Sequence, residues 1–303
     1  MRILTYHLIF LSAIVGLGLC SACKKQTDYS PNDGQVGYIN FYNAADGLIQ
    51  NGVISGFHRI YINDSISKDR IPEFQSSDSF RQYPQTPTGS SLISDGPTLP
   101  NDVTYTRVYW LPLSSENYHF LYTSISADGL IKKDIFRGAA AIKTDSFTLQ
   151  YLIEDVKADT AYQVINVPVE RNGTPGKVRI QILNMSPDLG PLQVYREDAN
   201  GNMMSDGLPS SLASADYSNY VDIDTTGSYK DLGQLLLKFR RTGSSNVLFT
   251  TSFPAISKSF FSVVVQGFAS KTNRRIKSIQ SNSTGFVPVT VDPNLRVNVR
   301  RVY

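Results

Sequence analysis

Apolar and polar residues alternate along most of this chain in short segments that are rich in Val, Ile, Tyr and Phe. Gly, Pro, Asn, Asp or Ser interrupts these segments at intervals of about 8 to 12 residues. Alternation with a period of two is typical of strands with one buried face. Beyond residue 35 the sequence has no sustained apolar stripe of helical period. The pattern therefore predicts an all-β fold.

The predicted strands fall into two sets, separated by a Pro- and Gly-rich stretch at residues 167–176. The first set comprises residues 38–43, 58–63, 103–113, 117–125 and 146–153. The second set comprises residues 177–184, 192–197, 217–223, 233–240, 246–253 and 260–268.

The two sets resemble each other, which predicts a tandem repeat. INFYNAAD at residues 39–46 parallels IQILNMSPD at 180–188, and DSFTLQYLIED parallels KSFFSVVVQGF further along the chain. A chain of 303 residues is too long for one ordinary core. We therefore expect two β-sandwich domains, at residues 36–170 and 171–303.

The second repeat resembles a known family. RIQILNMSPDLGPLQVY at 179–195 is followed by EDANGN, DYSNYVDIDTTGSY and FFSVVVQG in the same order as in the bacterial domain-of-unknown-function family 4397. The resemblance implies tandem immunoglobulin-like β-sandwiches on a surface lipoprotein, and it supplies no catalytic residue. The first repeat departs from the pattern, because it lacks a proline between Ala45 and Asp46 and contains a long insertion.

The first 22 residues have the order of a lipoprotein signal peptide. An uncharged apolar run at residues 8–19 is too short to span a bilayer and precedes the small residues of CSAC. This segment resembles a lipobox, in which Cys23 is the acylated residue, whereas Cys20 fits poorly because bulky Leu19 precedes it. The sequence thus predicts a lipid anchor at Cys23, a flexible tether at 23–35 and a place in the cell envelope, at the outer membrane.

An insertion at residues 65–102 is rich in Ser and Pro and poor in aliphatic residues, so it predicts a long surface loop. Three aromatic residues occur in or beside it, namely Phe74, Phe80 and Tyr83. Their rings could stack on a sugar or a protein partner. The favoured interpretation is that they hold the loop against its own sandwich.

Charge is distributed unevenly along the chain. Residues 24–170 contain 12 basic and 17 acidic residues, a net charge of −5, whereas residues 171–303 contain 16 and 9, a net charge of +7. The C-terminal excess includes Arg274, Arg275, Lys277, Arg300 and Arg301. Such residues could contact anionic lipid, acidic polysaccharide or nucleic acid. Nucleic acid is the least favoured for an envelope protein, and we slightly prefer basic strands that block edge-to-edge aggregation.

Motifs for catalysis or metal binding were not found. Beyond the signal peptide the chain has two histidines, His58 and His119, with no zinc-site spacing, and it contains no G-x-S-x-G elbow or P-loop. The loop at 198–202, DANGN, begins like a calcium loop, but its Asn-Gly dipeptide favours a tight hairpin turn. Trp110 is interpreted as the core anchor of the first sandwich.

The sequence therefore predicts a non-catalytic binding, adhesion or scaffold module without a cofactor or metal. Its expected partners are the membrane, through the lipid, and an envelope protein or a glycan, with no nucleic acid. The alternative is a glycan-directed hydrolase or a carbohydrate-binding component of a surface polysaccharide system, for which a pair of converging carboxylates would be required.

Overall fold

The computed structural model describes residues 35–63, 74–76, 81–84, 106–155, 157–198, 200–204, 206–225, 233–280 and 285–302. The predictions for the signal peptide, Cys23, Phe80 and nearly all of the insertion lie outside these residues. For Phe74 the description is limited to its strand.

Strands make up most of the described residues, and the prediction of an all-β sandwich fold is confirmed. The first half contains β1 (Val36–Asn43), α1 (Asp46–Gln50), α2 (Gly52–Ser55), β2 (Phe57–Ile62), β3 (Phe74–Ser76), β4 (Gln82–Tyr83), β5 (Thr106–Arg107), β6 (Leu111–Ser114), β7 (Asn117–Ile125), β8 (Lys132–Ala141), β9 (Phe147–Glu154) and β10 (Tyr162–Val169). The second half contains β11 (Lys177–Asn184), β12 (Leu192–Tyr195), β13 (Asp216–Tyr217), β14 (Val221–Asp224), β15 (Gln234–Arg241), β16 (Val247–Pro254), β17 (Phe260–Gln266), β18 (Thr272–Lys277), β19 (Phe286–Val291) and β20 (Arg296–Arg301).

The first sandwich packs two sheets against each other. One sheet has the order β10-β9-β1, with β4 and β6 both pairing with β1, and the other has the order β3-β2-β7-β8. Alternate apolar side chains of the two sheets meet in one core, including Ile39, Phe41 and Leu152 on the first sheet and Ile60 and Phe120 on the second. This arrangement buries the apolar face that each strand pattern presents.

The second sandwich repeats the plan. Its larger sheet has the order β20-β17-β11, with β13 and β14 pairing with β11, and its facing sheet has the order β12-β15-β16. The core between them includes Ile180, Ile182, Val263, Leu237 and Phe239.

The correspondence between the two sandwiches extends to single residues. In each of them the first strand runs parallel to the strand that follows the hairpin sheet, with Phe41 opposite Gln150 in one and Ile182 opposite Val263 in the other. The residue two positions before each of these later strands, Asp145 or Lys258, has a positive φ of 56° or 65°. A register shift also occurs at matching places, after Tyr122 in β7 and after Phe239 in β15.

Packing crosses the boundary between the repeats. The β18–β19 hairpin belongs to the second half of the chain, yet Ile276, Val289 and Val291 lie in the core of the first sandwich. Conversely, β5 pairs in parallel with β20 of the second sandwich. The predicted division at 170/171 therefore follows the chain order but not the packing. The predicted strand at 103–113 is two strands in the structure, because β5 and β6 join different sandwiches.

The two sandwiches pack face to face through a third apolar cluster, here called the seam. It joins Leu149 and Tyr151 of β9 to Leu183 of β11 and Val264 of β17. Trp110 is buried in this cluster, with its ring 5.1 Å from that of Phe147. The prediction that Trp110 anchors the first sandwich's own core is therefore wrong, because Trp110 lies between β5, which pairs with β20 of the second sandwich, and β6, and its ring packs with residues of both sandwiches.

Candidate functional site

The predicted exposed basic cluster is corrected by the structure. Arg274, Arg300 and Arg301 are buried, with exposures of 6%, 0% and 3%. Arg275 is exposed and Lys277 is half-buried. Alternation along β18 and the position of β20 between β17 and β5 turn these side chains inward. The five residues do not form one surface for a polyanion.

Arg300 is held inside the molecule by neutral groups. Its Nη1 donates to Tyr151 Oη at 2.7 Å, and its Nη2 donates to Asn40 Oδ1 at 2.6 Å and Gln82 Oε1 at 2.9 Å. The guanidinium also lies 4.3 Å from the centroid of the Tyr42 ring. Arg300 therefore joins the two sandwiches at the seam through hydrogen bonds and a cation–π contact.

Arg274 ties the β18–β19 hairpin to the first sandwich. Its Nη1 and Nη2 donate to the backbone carbonyls of Asp155 and Ala161 at 3.1 and 2.9 Å. Lys277 acts at the other side of the hairpin, where its Nζ donates to the carbonyl of Asp134 at 2.7 Å. The hairpin thus spans the gap between β8 and the loop after β9.

Two carboxylates are buried near this hairpin. Asp46 Oδ1 accepts from Arg81 Nη1 at 2.5 Å and from Arg296 Nη2 at 2.7 Å. Glu154 Oε1 accepts from the Gly47 amide at 2.6 Å, and burial, reinforced by the nearby Asp46 charge, raises the pKa of Glu154 to about 7. Both carboxylates lie in packed surroundings, with exposures of 0% and 1%.

Histidine supplies no metal site in the described parts of the chain. Burial and the Arg81 charge lower the pKa of His58 to about 4, and its ring nitrogens lie 3.2 Å from Asn43 Nδ2 and 3.1 Å from Ser55 Oγ. Within the described ranges, no three His, Cys, Asp or Glu side chains are grouped so that they could hold a metal ion. Neither short helix of the described residues is long and apolar enough to cross a membrane.

Tyr83 is the one predicted contact residue of the insertion whose side chain the structure describes. The Tyr83 ring is half-buried against the first core, 6.4 Å from the Phe41 ring, which agrees with a role in holding the insertion to its own sandwich.

In the 198–202 loop, the Asp198 carboxylate accepts from the backbone amides of Asn200 and Asn202. Those bonds and the positive φ of Gly201 are features of a tight turn.

A cavity of about 240 Å³ opens between β8 and β10, which are edge strands of the two sheets of the first sandwich. We call it the edge cleft. Its lining consists of Phe120 and Tyr122 of β7, Phe136, Gly138 and Ala139 of β8, Gln150 of β9, and Val164 and Asn166 of β10. Three rings and two amides line it, and none of the eight lining residues is acidic or basic.

A chain of hydrogen bonds crosses the edge cleft. The Tyr122 hydroxyl donates to Gln150 Oε1 at 2.5 Å, and Gln150 Nε2 donates to Asn166 Oδ1 at 2.8 Å. Tyr122 and Gln150 are buried, with exposures of 4% and 2%, and Asn166 is exposed at the rim. Burial raises the pKa of Tyr122 well above its ordinary value, so its hydroxyl remains a donor.

The equivalent positions of the second sandwich are apolar. The strand registers match Gln150 of β9 to Val263 of β17. Asn166 of β10 lies opposite Gln150, and Val299 of β20 lies opposite Val263, so these two residues also correspond. Tyr122 corresponds to Phe239, since each lies opposite a phenylalanine just before the matching register shift. These second-sandwich residues pack in its core. The first sandwich thus carries three polar groups where its repeat carries none.

Sequence reasoning missed Tyr122, Gln150 and Asn166, although one signal was present. In the alignment of residues 145–155 with 258–268, Gln150 lies opposite Val263 at a position that faces a core. A polar residue at such a position departs from strand alternation and indicates either a buried hydrogen-bond network or a site.

Neither a family model nor a curated protein matches this chain, so the resemblance to family 4397 stays a prediction. Among solved structures, the chain is similar to a protein from Bacteroides fragilis that is provisionally described as a cell adhesion protein. The match has 8% identity and a TM-score of 0.18, and it covers 85% of this chain and 98% of the other. At that TM-score the similarity carries no argument about this chain.

Proposed function

We propose that this protein is a non-catalytic binding or adhesion module that is held at the cell envelope by a lipid on Cys23. The observation that carries the proposal is the edge cleft, a recess lined by aromatic and amide side chains on one side of the first sandwich. Recesses with apolar walls and a few hydrogen-bonding groups are typical of ligand sites. β1, which follows the predicted tether, belongs to the same sandwich as the cleft, so the tether would set how far the cleft reaches from the membrane.

Hydrolysis of a glycan is less well supported. A glycosidase needs two carboxyl groups that face each other across the substrate. The lining of the edge cleft contains no carboxylate, and the buried Asp46 and Glu154 bind Arg81, Arg296 and the Gly47 amide instead. The chemistry at the cleft therefore favours binding without bond cleavage.

Membrane attachment follows from the CSAC segment and the polar tether that precedes β1. Several acyl chains on one cysteine would hold the protein firmly, since each buried methylene contributes about 0.8 kcal/mol. The resemblance of the second repeat to family 4397 supports the same location, and Lys24 after the cysteine is compatible with the outer membrane.

Replacement of Cys23 tests the anchor directly. We expect Cys23→Ala to move the full-length protein from the membrane fraction to the soluble fraction and to abolish its metabolic labelling with palmitate. Cys20→Ala is the matched control and should change neither result, because Cys20 lies on the discarded side of the cleavage point. Retention of Cys23→Ala in the membrane fraction, with labelling unchanged, would contradict the proposed anchor.

A further inference from the structure

The polar groups of the edge cleft are not required by the fold. Burial of an amide or hydroxyl in an apolar core stabilises nothing by itself and costs about 1 to 3 kcal/mol if a hydrogen bond is missing. The second sandwich builds the same strand pairs with Phe239, Val263 and Val299, so the scaffold itself does not require Tyr122, Gln150 and Asn166. A ligand that uses these groups would account for the difference.

The hydrogen bonds give the cleft a direction. The buried Tyr122 hydroxyl donates to Gln150, and Gln150 donates to Asn166 at the rim, so the chain of donors runs from the core to the solvent. Asn166 Oδ1 is thereby occupied as an acceptor, whereas its Nδ2 donates to none of the described residues. The rim therefore presents two N–H donors whose position is fixed from below.

The surroundings define the rest of the ligand. The half-buried Phe136 ring supplies the accessible aromatic surface, Phe120 and Tyr122 are buried in the lining, and Gly138 and Ala139 keep the β8 wall low. No charged side chain lines the cleft, so an ionised ligand would lose hydration without gaining an ion pair. A volume of about 240 Å³ suits one small ring rather than an extended molecule.

The β18–β19 hairpin limits how a ligand can enter. Arg275 N donates to Asp159 O in the loop before β10, and Lys277 Nζ donates to Asp134 O at the start of β8. The hairpin thus covers one end of the gap between the two edge strands. The cleft lies further along the same gap, beside Gly138 and Asn166. A ligand is therefore expected to insert one terminal group there.

We propose that the edge cleft binds a neutral pyranose residue at the end of a glycan chain, with hydroxyl oxygens on the Asn166 amide and a C–H face on the Phe136 ring. The inference rests on the proposed function as a binding module and specifies its ligand. A pyranose has an apolar face, a ring of hydroxyl groups and no charge. These match the aromatic surface, the amide donors and the uncharged lining of the cleft.

The test measures binding of the detergent-extracted full-length protein to an array of neutral oligosaccharides that end in glucose, galactose or mannose, beside sialylated and uronic-acid glycans. The variant Tyr122→Phe/Gln150→Val/Asn166→Val introduces the residues of the second repeat. We expect it to lose about tenfold or more in affinity for the neutral glycans, with an unchanged or higher Tm. Asn166→Val alone, at an exposed position, serves the same purpose if the triple variant does not fold.

Asn273→Val is the matched control, since Asn273 is also an exposed strand residue but lies on β18, away from the cleft. It should bind like the unaltered protein. Unchanged binding by the triple variant or by Asn166→Val would overturn the site. Binding only to charged glycans or to peptides would overturn the ligand class while leaving a binding module in place. Release of shortened oligosaccharides would instead contradict the proposed non-catalytic function.

Discussion

The two sandwiches share their strand pairing, a positive-φ residue and a register shift, yet they differ in what they bury. The second sandwich fills its core with aliphatic and aromatic side chains such as Val263 and Phe239. At matching positions the first sandwich carries Gln150 and Tyr122, and it also contains Glu154 under the hairpin that comes from the second half of the chain. Strand pairing therefore tolerates either core, and the choice at single positions decides which sandwich can hold a ligand.

The largest effect is expected from the hairpin that crosses between the repeats. Ile276 is fully buried in the first core although it follows the second repeat's strands in sequence. Ile276→Ala should lower the free energy of unfolding by about 2 to 5 kcal/mol through the cavity that it leaves. Hydrogen exchange should show the lost protection in β1 and β7 of the first sandwich.

Thr290→Ala is the control for this experiment, because Thr290 is exposed on the partner strand β19. It should leave both the stability and the exchange pattern nearly unchanged. If Ile276→Ala loosened the second sandwich and spared the first, the hairpin would not belong to the first core.

A polar residue placed in the second core should show that a sandwich tolerates a buried amide only where another side chain can form a hydrogen bond with it. Val263→Gln introduces the residue of the first repeat at a fully buried position, where Phe239 and Val299 offer no hydrogen bond from their side chains. We expect a loss of about 2 to 4 kcal/mol in urea unfolding. The paired change Val263→Gln/Val299→Asn should recover part of it, since Asn166 serves Gln150 in this way. Equal losses in the single and double variants would contradict that explanation.

The third effect is a loss of stability that depends on pH and is absent at low pH. The pKa of Glu154 is raised from 4.5 to about 7 in the folded protein, so the native state holds a proton that the unfolded state has lost. This contribution to stability is fully present below pH 4.5 and is lost as the pH rises through 7. His58 has a folded pKa of about 4, so its contribution runs the other way, being present above pH 6.5 and lost as the pH falls through 4.

Glu154→Gln isolates the first of these contributions. The free energy of unfolding of the variant, relative to that of the unaltered protein, should rise by about 3 kcal/mol between pH 4.5 and pH 8. Subtraction of the two unfolding curves removes the His58 contribution, which both proteins share. Asp46, Arg274 and Tyr162 surround the carboxyl group and are retained. Asn273→Val, at an exposed position without a titratable group, is the control and should leave the pH dependence of unfolding unchanged.

Much of the strand pattern could be read from the sequence. The predicted strands at 177–184 and 117–125 coincide with β11 and β7, because each of these strands alternates clearly and is followed closely by turn residues. β8 and β10 were not among the predicted strands. Gly138 and three alanines weaken the strand signal of β8, and Pro168 weakens that of β10, where its position on an edge strand leaves the pairing intact. These two strands form the walls of the edge cleft.

The environment of the basic cluster, by contrast, could not be predicted from the sequence. Arg274, Arg300 and Arg301 are close in sequence to exposed charges, and charge counting alone predicts a basic surface. Their burial depends on carbonyls, amides and rings that other segments supply, such as Ala161 for Arg274 and Tyr151 for Arg300. Sequence neighbours do not reveal such partners.

The sequence by itself determined the all-β class and the repetition, because alternation and turn residues are local properties that hold wherever a strand finally packs. Tertiary structure alone decided that a hairpin of the second half completes the first core, that Trp110 and Arg300 lie in the seam, and that Tyr122, Gln150 and Asn166 meet at one cleft. Those features depend on contacts between residues far apart in the chain, and the free energy of such contacts depends on which partners the fold brings within reach.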